Sequence, residues 1–105
     1  MLTQTDINYI RERLIEKFDP DKIILFGSQA RQDSDKNSDV DLLVLTEPNG
    51  KRRKLMTEMD RALSGLNYAR DIVILSTQEY ERDRAIAGTI ARYAALEGKI
   101  IYERI

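Results

Sequence analysis

Aspartates stand where two apolar, strand-like segments of this chain begin, and that placement constrains the fold more than any other feature. Asp39 and Asp41 flank the first residue of the run that ends at Leu45, and Asp71 opens the run that ends at Leu75. Acidic side chains are depleted from strands and are rarely buried without a partner, so three of them here cost stability. A divalent cation that carries the phosphates of a nucleotide would offset that cost. The pattern therefore predicts a site for metal and nucleotide.

The size and composition of the chain indicate an ordinary globular protein. Its 105 residues suffice for one modest core, so we expect a single domain over residues 1–105. The net charge of −1 gives no electrostatic case for direct nucleic-acid binding. No apolar run approaches the ~20 residues that span a bilayer, and the first residues lack the features of a signal peptide. We expect a cytoplasmic protein that does not bind a membrane.

The chain contains neither cysteine nor histidine. Disulfides, zinc–thiolate sites and imidazole ligands are therefore excluded, and no imidazole serves as a catalytic base. Any metal site must be built from oxygen ligands, which favours magnesium, manganese or calcium.

Hydrophobic periodicity predicts alternating helices and strands. Apolar residues recur at helical spacing from Thr3 to Asp19, where Thr3 and Asp6 resemble a capping box. Four short segments are typical of strands: Ile23–Phe26, Val40–Leu45, Asp71–Leu75 and Lys99–Tyr102. Residues 32–37 are predicted to be a polar loop. The order favours an α/β (α+β) fold, a small mixed sheet with flanking helices.

Two further helices are predicted in the second half of the chain. One extends from Lys51 to Leu66, and its first residues, 51–54, are all basic. The other extends from Ser76 or Thr77 to Glu97, with a break near Gly88 and a stop at Gly98. We expect its inward-facing residues to be Ile86, Ile90, Tyr93 and Ala94.

The three aspartates are expected to meet at one edge of the sheet. Asp39 and Asp41 are two residues apart, so on a strand their side chains leave the same face. A helical crossover from residue 51 to 66 would make the second and third strands parallel, which brings Asp71 to the same edge. If the first two strands are antiparallel, Gly27 and Ser28 arrive there as well. Two metal ions ~3.5–4 Å apart fit between carboxylates so spaced.

Gly27 and Ser28 suit a phosphate at that edge. Glycine lets the backbone approach a ligand closely, and the serine hydroxyl can donate to a phosphate oxygen. The pattern differs from a Walker A loop, since the G-x-x-x-x-G-K-[ST] sequence is absent.

These motifs resemble those of the minimal nucleotidyltransferase family, which belongs to the DNA polymerase beta-type nucleotidyltransferase superfamily. The resemblance is carried by Gly27-Ser28-x-Ala30-Arg31, by Ser38-Asp39-x-Asp41-Leu42 and by the later strand aspartate Asp71. It covers nearly the whole chain, because the ending from Ala94 to Tyr102 is also similar. Members often carry Arg at the position of Gln29, so Gln29 removes one possible phosphate contact.

The resemblance implies transfer of a nucleoside monophosphate from a triphosphate, ATP, with release of pyrophosphate. It implies two Mg²⁺ ions, or Mn²⁺, with Asp39 and Asp41 on both ions and Asp71 on the ion near the attacking hydroxyl. Gly27 and Ser28 would hold the β- and γ-phosphates. Two roles stay open for Arg31, a phosphate contact or an ion pair with an acidic neighbour.

The resemblance also implies a protein partner. Larger relatives carry an additional domain for the acceptor, and we expect that a minimal protein borrows its acceptor surface from a partner. Similar family members are often paired with a HEPN-type helical ribonuclease toxin, which they neutralise as antitoxins by adding AMP to a tyrosine. A hetero-oligomer is therefore expected.

Several of these features also have simpler interpretations. Ser38 and Asp39 could form a turn or helix cap, Asp71 could be an edge residue paired with Arg70 or another base, and the basic run could be a solvated helix start. Two other functions use the same fold: an antitoxin that occludes a toxin without chemistry, and a sensor that binds ATP and magnesium without turnover.

Overall fold

The computed structural model describes residues 2–31 and 39–105, and it contains a four-stranded sheet with helices on both faces. The strands are β1 (Lys22–Phe26), β2 (Val40–Leu45), β3 (Arg70–Leu75) and β4 (Lys99–Glu103). The helices are α1 (Gln4–Phe18), α2 (Ser28–Arg31), α3 (Arg52–Ala62), α4 (Thr77–Asp83) and α5 (Ile90–Glu97). The predicted polar loop 32–37 lies outside the described residues.

The sheet is mixed, as predicted. Its strand order is β3-β2-β1-β4; β2 pairs antiparallel with β1 and parallel with β3, and β4 pairs antiparallel with β1. The helix α3 connects the two parallel strands, because a parallel pair needs a crossover. The end of β1 and the starts of β2 and β3 therefore lie at one edge of the sheet.

Alternation along the strands divides the core into two layers. Even-numbered β2 residues, Val40, Leu42 and Val44, pack in the cluster that contains Ile10 and Leu14 of α1 and Met59 of α3. Odd-numbered β2 residues pack on the other face, in a cluster whose members are Ile24, Phe26, Leu43, Leu45, Tyr80, Ala91 and Ala94. Asp41 is also odd-numbered, so its side chain projects from this second face, which α4 and α5 cover.

The first helix begins and ends as the sequence predicts. The Thr3 side chain accepts from the Asp6 amide while the Asp6 carboxylate accepts from the Thr3 amide, which completes a capping box. At the other end Asp19 adopts a left-handed conformation with φ 47°, and Pro20 follows.

The predicted C-terminal helical region is two helices, and three of its four predicted inward residues are wrong. The break near Gly88, which has φ +89°, is confirmed. Ile86, Ile90 and Tyr93 are exposed, whereas Ala94 is buried as predicted. The break changes the rotational phase of the second helix, so α5 turns its small residues Ala91 and Ala94 toward the sheet.

The helix α3 is shorter than predicted. It begins one residue after Lys51 and ends at Ala62, and a turn carries the chain onward to β3. Leu63 and Leu66 are buried nonetheless, because the turn keeps them against the core. In the described part of the chain, no helix is long and apolar enough to cross a membrane.

The helix α4 is joined to α3 by a charged contact. Ser76 and Glu79 form a capping box, and Arg52 Nη2 lies 2.7 Å from Glu79 Oε1. The amide of Ser76 donates to the Glu79 carboxylate, and this bond, followed by the one from Arg52, lowers the pKa of Glu79 below its ordinary value of 4.5. Ionised Glu79 therefore contributes stability above that value, and the contribution is lost as the pH falls through the lowered pKa.

We expect Glu79→Gln to lower the free energy of unfolding at about pH 7 by ~0.2–1 kcal/mol, because water reaches this ion pair. The difference from the wild type should shrink as the pH falls through the lowered pKa of Glu79, because the wild-type carboxyl then also becomes neutral. Urea denaturation over a series of decreasing pH values measures this. Glu81→Gln in the same helix is the control, and an equal effect of the two substitutions throughout the series would contradict the prediction.

Candidate active site

The strand ladder places two of the three predicted aspartates side by side. Phe26 is opposite Asp41 in the antiparallel pair, and Asp41 is opposite Asp71 in the parallel pair. Neighbouring strands lie ~4.8 Å apart, and opposite residues project from the same face. The carboxylates of Asp41 and Asp71 therefore leave the same face of the sheet at the same edge.

Asp39 lies one residue before β2 and is exposed. The start of β2 is fixed close by, because the Val40 amide donates to the Ala69 carbonyl oxygen at 2.8 Å. Within residues 2–31 and 39–105, no three or more acidic side chains are grouped so that they could hold a metal ion. The three-aspartate metal site therefore stays a prediction.

Gly27 leaves no room for a side chain next to Asp41. A Cβ atom built on Gly27 would lie 2.2 Å from Asp41 Oδ2, and the residue has φ +76°. Both facts require glycine, since a side chain would collide with the carboxylate and the left-handed conformation disfavours one. Asp41 therefore lies directly against the backbone of the turn that precedes Ser28.

The turn after β1 continues into α2. Ser28 begins this helix and is half-buried, and the Ala30 amide donates to the Gly27 carbonyl oxygen at 3.1 Å. Arg31 is the last residue of α2, but its side chain lies outside the described part of the structure. Both predicted roles of Arg31 therefore stay open.

Gln29 has a structural role that sequence reasoning missed. Its side chain is buried, and its Oε1 accepts from the Leu2 amide at 3.0 Å. This bond fastens the chain ahead of α1 to the turn after β1. Sequence spacing does not reveal a buried side-chain amide. The family resemblance showed only that Gln29 stands where members often carry an arginine.

The structure does not support the alternative in which Arg70 neutralises Asp71. Arg70 Nε lies 2.9 Å from Asp60 Oδ1, and Arg70 Nη1 donates to the carbonyl oxygens of Leu66 and Tyr68. No Lys or Arg of the described segments forms an ion pair with Asp71. Asp71 is exposed on the edge strand β3, and it lines an open groove of about 280 Å³ that runs along this outer edge toward α3.

The basic run 51–54 begins far along the chain from Asp41, although Arg53 lines the same groove as Asp71. It begins α3, which follows the end of β2, whereas Asp41 is at the start of that strand. Arg52 pairs with Glu79 and donates from Nη1 to the Ile74 carbonyl oxygen at 3.2 Å. At least this member of the run serves the packing of α3 on β3 and α4.

Tyr93 contacts the edge of the site. Its ring lies 5.8 Å from the Phe26 ring, centroid to centroid, at an interplanar angle of 75°. This edge-to-face arrangement is favourable for aromatic pairs. Phe26 is also the residue opposite Asp41 in the neighbouring strand. A chain of two contacts, Tyr93 to Phe26 and Phe26 to Asp41, therefore connects α5 to the candidate site.

Comparison with known families gives one clear finding. The sequence model of the family described as polymerase beta, nucleotidyltransferase matches residues 8–104, nearly the whole chain. Among curated proteins, no sequence matches this chain.

Solved structures share the fold. One similar structure is a toxin–antitoxin complex with AMP-PNP, at 22% identity and a TM-score of 0.69, over 93% of this chain and 73% of that one. Another is the tri-AMPylated Shewanella oneidensis HEPN toxin in complex with MNT antitoxin, at 20% identity and a TM-score of 0.67, over 98% of this chain and 74% of that one. A third is the toxin–antitoxin MntA–HepT, at 21% identity and a TM-score of 0.64, over 97% of this chain and 74% of that one. At these identities the likeness establishes the fold.

We expect Gly27→Ala to destabilise the protein more than Gly88→Ala. Both residues have positive φ, so each alanine meets a backbone cost of about 1–2 kcal/mol. Only Gly27 faces a collision with Asp41, whereas nothing lies within 4 Å of a Cβ at Gly88. The collision should add about 1–3 kcal/mol. Urea denaturation measures both, and equal losses would show that the carboxylate is not held against Gly27.

Proposed function

The chain belongs to the polymerase beta nucleotidyltransferase family, and on that premise we propose that it transfers AMP from ATP to a protein. The acceptor is a tyrosine of a HEPN-type ribonuclease toxin, and the chain is the antitoxin of that pair. One observation carries the proposal: the Asp41 carboxylate is held against Gly27, beside Ser28 and opposite Asp71. This arrangement puts acidic ligands next to a turn that suits phosphate.

The structural neighbours support the choice of nucleotide and partner. One of them is a toxin–antitoxin complex solved with AMP-PNP, an ATP analogue, and another contains a toxin that carries AMP. This chain shares their fold over more than nine-tenths of its length. The same division of roles would make this chain the nucleotidyltransferase and a helical toxin its substrate.

The donor set fits a hard divalent cation. The candidate ligands are carboxylates, and the chain has no cysteine or histidine that would favour a softer metal. Asp39, Asp41 and Asp71 would hold two Mg²⁺ or Mn²⁺ ions. When bound, such ions neutralise the triphosphate and lower the pKa of the attacking hydroxyl.

The residues of the chain have distinct tasks in the proposed reaction. Gly27 lets the triphosphate approach the backbone, and the Ser28 hydroxyl donates to a phosphate oxygen. The tyrosine oxygen of the acceptor forms a bond to the α-phosphorus, the bond from that phosphorus to the bridging oxygen of the β-phosphate breaks, and pyrophosphate leaves. Asp71, exposed at the edge of the sheet, accepts the tyrosine proton.

The test is AMP transfer to a HEPN-type protein, and the first candidate to try is the product of a gene adjacent to the one for this chain. With labelled ATP and magnesium, intact mass should show one or more AMP groups on the partner. Asp41→Asn and Asp71→Asn should each reduce the rate by about a hundredfold or more. Glu47→Gln, which removes a carboxylate at the opposite edge of the sheet, should leave the rate unchanged.

Other outcomes would overturn the proposal in distinguishable ways. If the double variant Asp39→Asn, Asp41→Asn still neutralises the toxin, the chain is an antitoxin that acts by occlusion. Magnesium-dependent ATP binding without transfer or pyrophosphate release would identify a sensor.

A further inference from the structure

An apolar groove lies on the outer side of α5, away from the core. Ile90, Tyr93 and Leu96 line it together with Arg92 and the turn 87–89, and its volume is about 580 Å³. We call this surface the α5 groove. Leu96 is 65% exposed, Tyr93 39% and Ile90 38%. Three large apolar side chains at one open groove are typical of a protein-binding surface.

The α5 groove adjoins the candidate active site. Tyr93 lines the groove and also packs against Phe26, whose strand neighbour is Asp41. A molecule seated in the groove would therefore lie beside the face from which Asp41 and Asp71 project. This position suits a protein that must present a hydroxyl to those carboxylates.

We propose that the α5 groove is the docking surface for an amphipathic helix of the acceptor protein. The proposal rests on the proposed function, since it takes the occupant to be the protein that receives AMP. Helices dock in apolar grooves through side chains spaced three and four residues apart. The groove residues Ile90, Tyr93 and Leu96 are themselves spaced at three, so α5 presents a seam that such a helix can pack against.

The positive charge of the groove indicates that an acidic residue borders the apolar stripe of the partner helix. Arg92 is its one charged lining residue, and it forms no ion pair within residues 2–31 and 39–105. Among the residues that the structure describes, its Nη1 donates a long 3.5 Å hydrogen bond to the Arg84 carbonyl oxygen. We therefore assign to the partner helix an Asp or Glu that pairs with Arg92.

A second copy of this chain is a less suitable occupant. Two copies packed through α5 would place a protein surface against Tyr93 on each side, next to both candidate sites. That arrangement would restrict access of the acceptor to Asp41 and Asp71. An acceptor helix in the groove has the opposite effect, because its own chain delivers the hydroxyl.

The test uses the full chain and the HEPN-type protein that serves as acceptor in the AMP-transfer test. Leu96→Glu and Ile90→Glu place a charge in the groove, while Ile105→Glu makes the same kind of change at an exposed residue outside the groove lining. We expect the two groove substitutions to weaken the complex about tenfold or more in calorimetry, with Ile105→Glu unchanged. AMP-PNP binding should be unaltered in all three, and KM for the acceptor should rise with kcat retained. Arg92→Glu should also weaken the complex.

The outcomes separate this proposal from the proposed function. A wild-type affinity in both groove variants, or no complex with the wild-type chain, would overturn the docking surface. A complex that depends on the groove without any AMP transfer would leave the docking surface in place and overturn catalysis. If light scattering shows that the wild-type chain is a dimer and that Leu96→Glu is a monomer, the occupant is a second copy and the proposal is overturned.

Discussion

The pairing of β2 with both of its neighbours is the interaction on which the rest of the molecule depends. It fixes the register in which Phe26, Asp41 and Asp71 lie opposite one another. Five of the six β2 residues are buried, and each large apolar side chain so placed contributes about 1.5–3 kcal/mol. That burial is what allows a carboxylate to be held at the head of a central strand, where by itself it would destabilise the sheet.

The two faces of the sheet have different tasks. The face covered by α1 and α3 is closed by large side chains, which include Ile10, Leu14 and Met59, and it supplies most of the core. The other face is covered by two shorter helices, and α5 contacts it through Ala91 and Ala94. Because small residues fill the contact, the large side chains of α5 turn outward. The candidate site and the α5 groove therefore share the less completely covered face.

Much of this arrangement could be predicted from residue patterns. Thr3 and Asp6 form the predicted capping box, and the apolar run from Val40 to Leu45 is a strand with the predicted bounds. Such local signals succeed because they depend on neighbours three or four residues away. The direction of Ile90 and Tyr93 could not be predicted, because it depends on the helix phase after a turn. The buried side chain of Gln29, which holds the Leu2 amide, depends on a contact between residues 27 positions apart.

The sequence by itself determined the order of the four strands and of the longer helices, the family and the residue types at the candidate site, since hydrophobic period, turn residues and the aspartate spacing are all local properties. It also limited any metal site to oxygen ligands, because there is no cysteine or histidine. Only the tertiary structure decided that Gly27 touches Asp41, that Arg70 is held by Asp60, and that Tyr93 lies between the candidate site and an open groove. Each of these contacts joins separate elements, and the packing of helices on the sheet sets their distance.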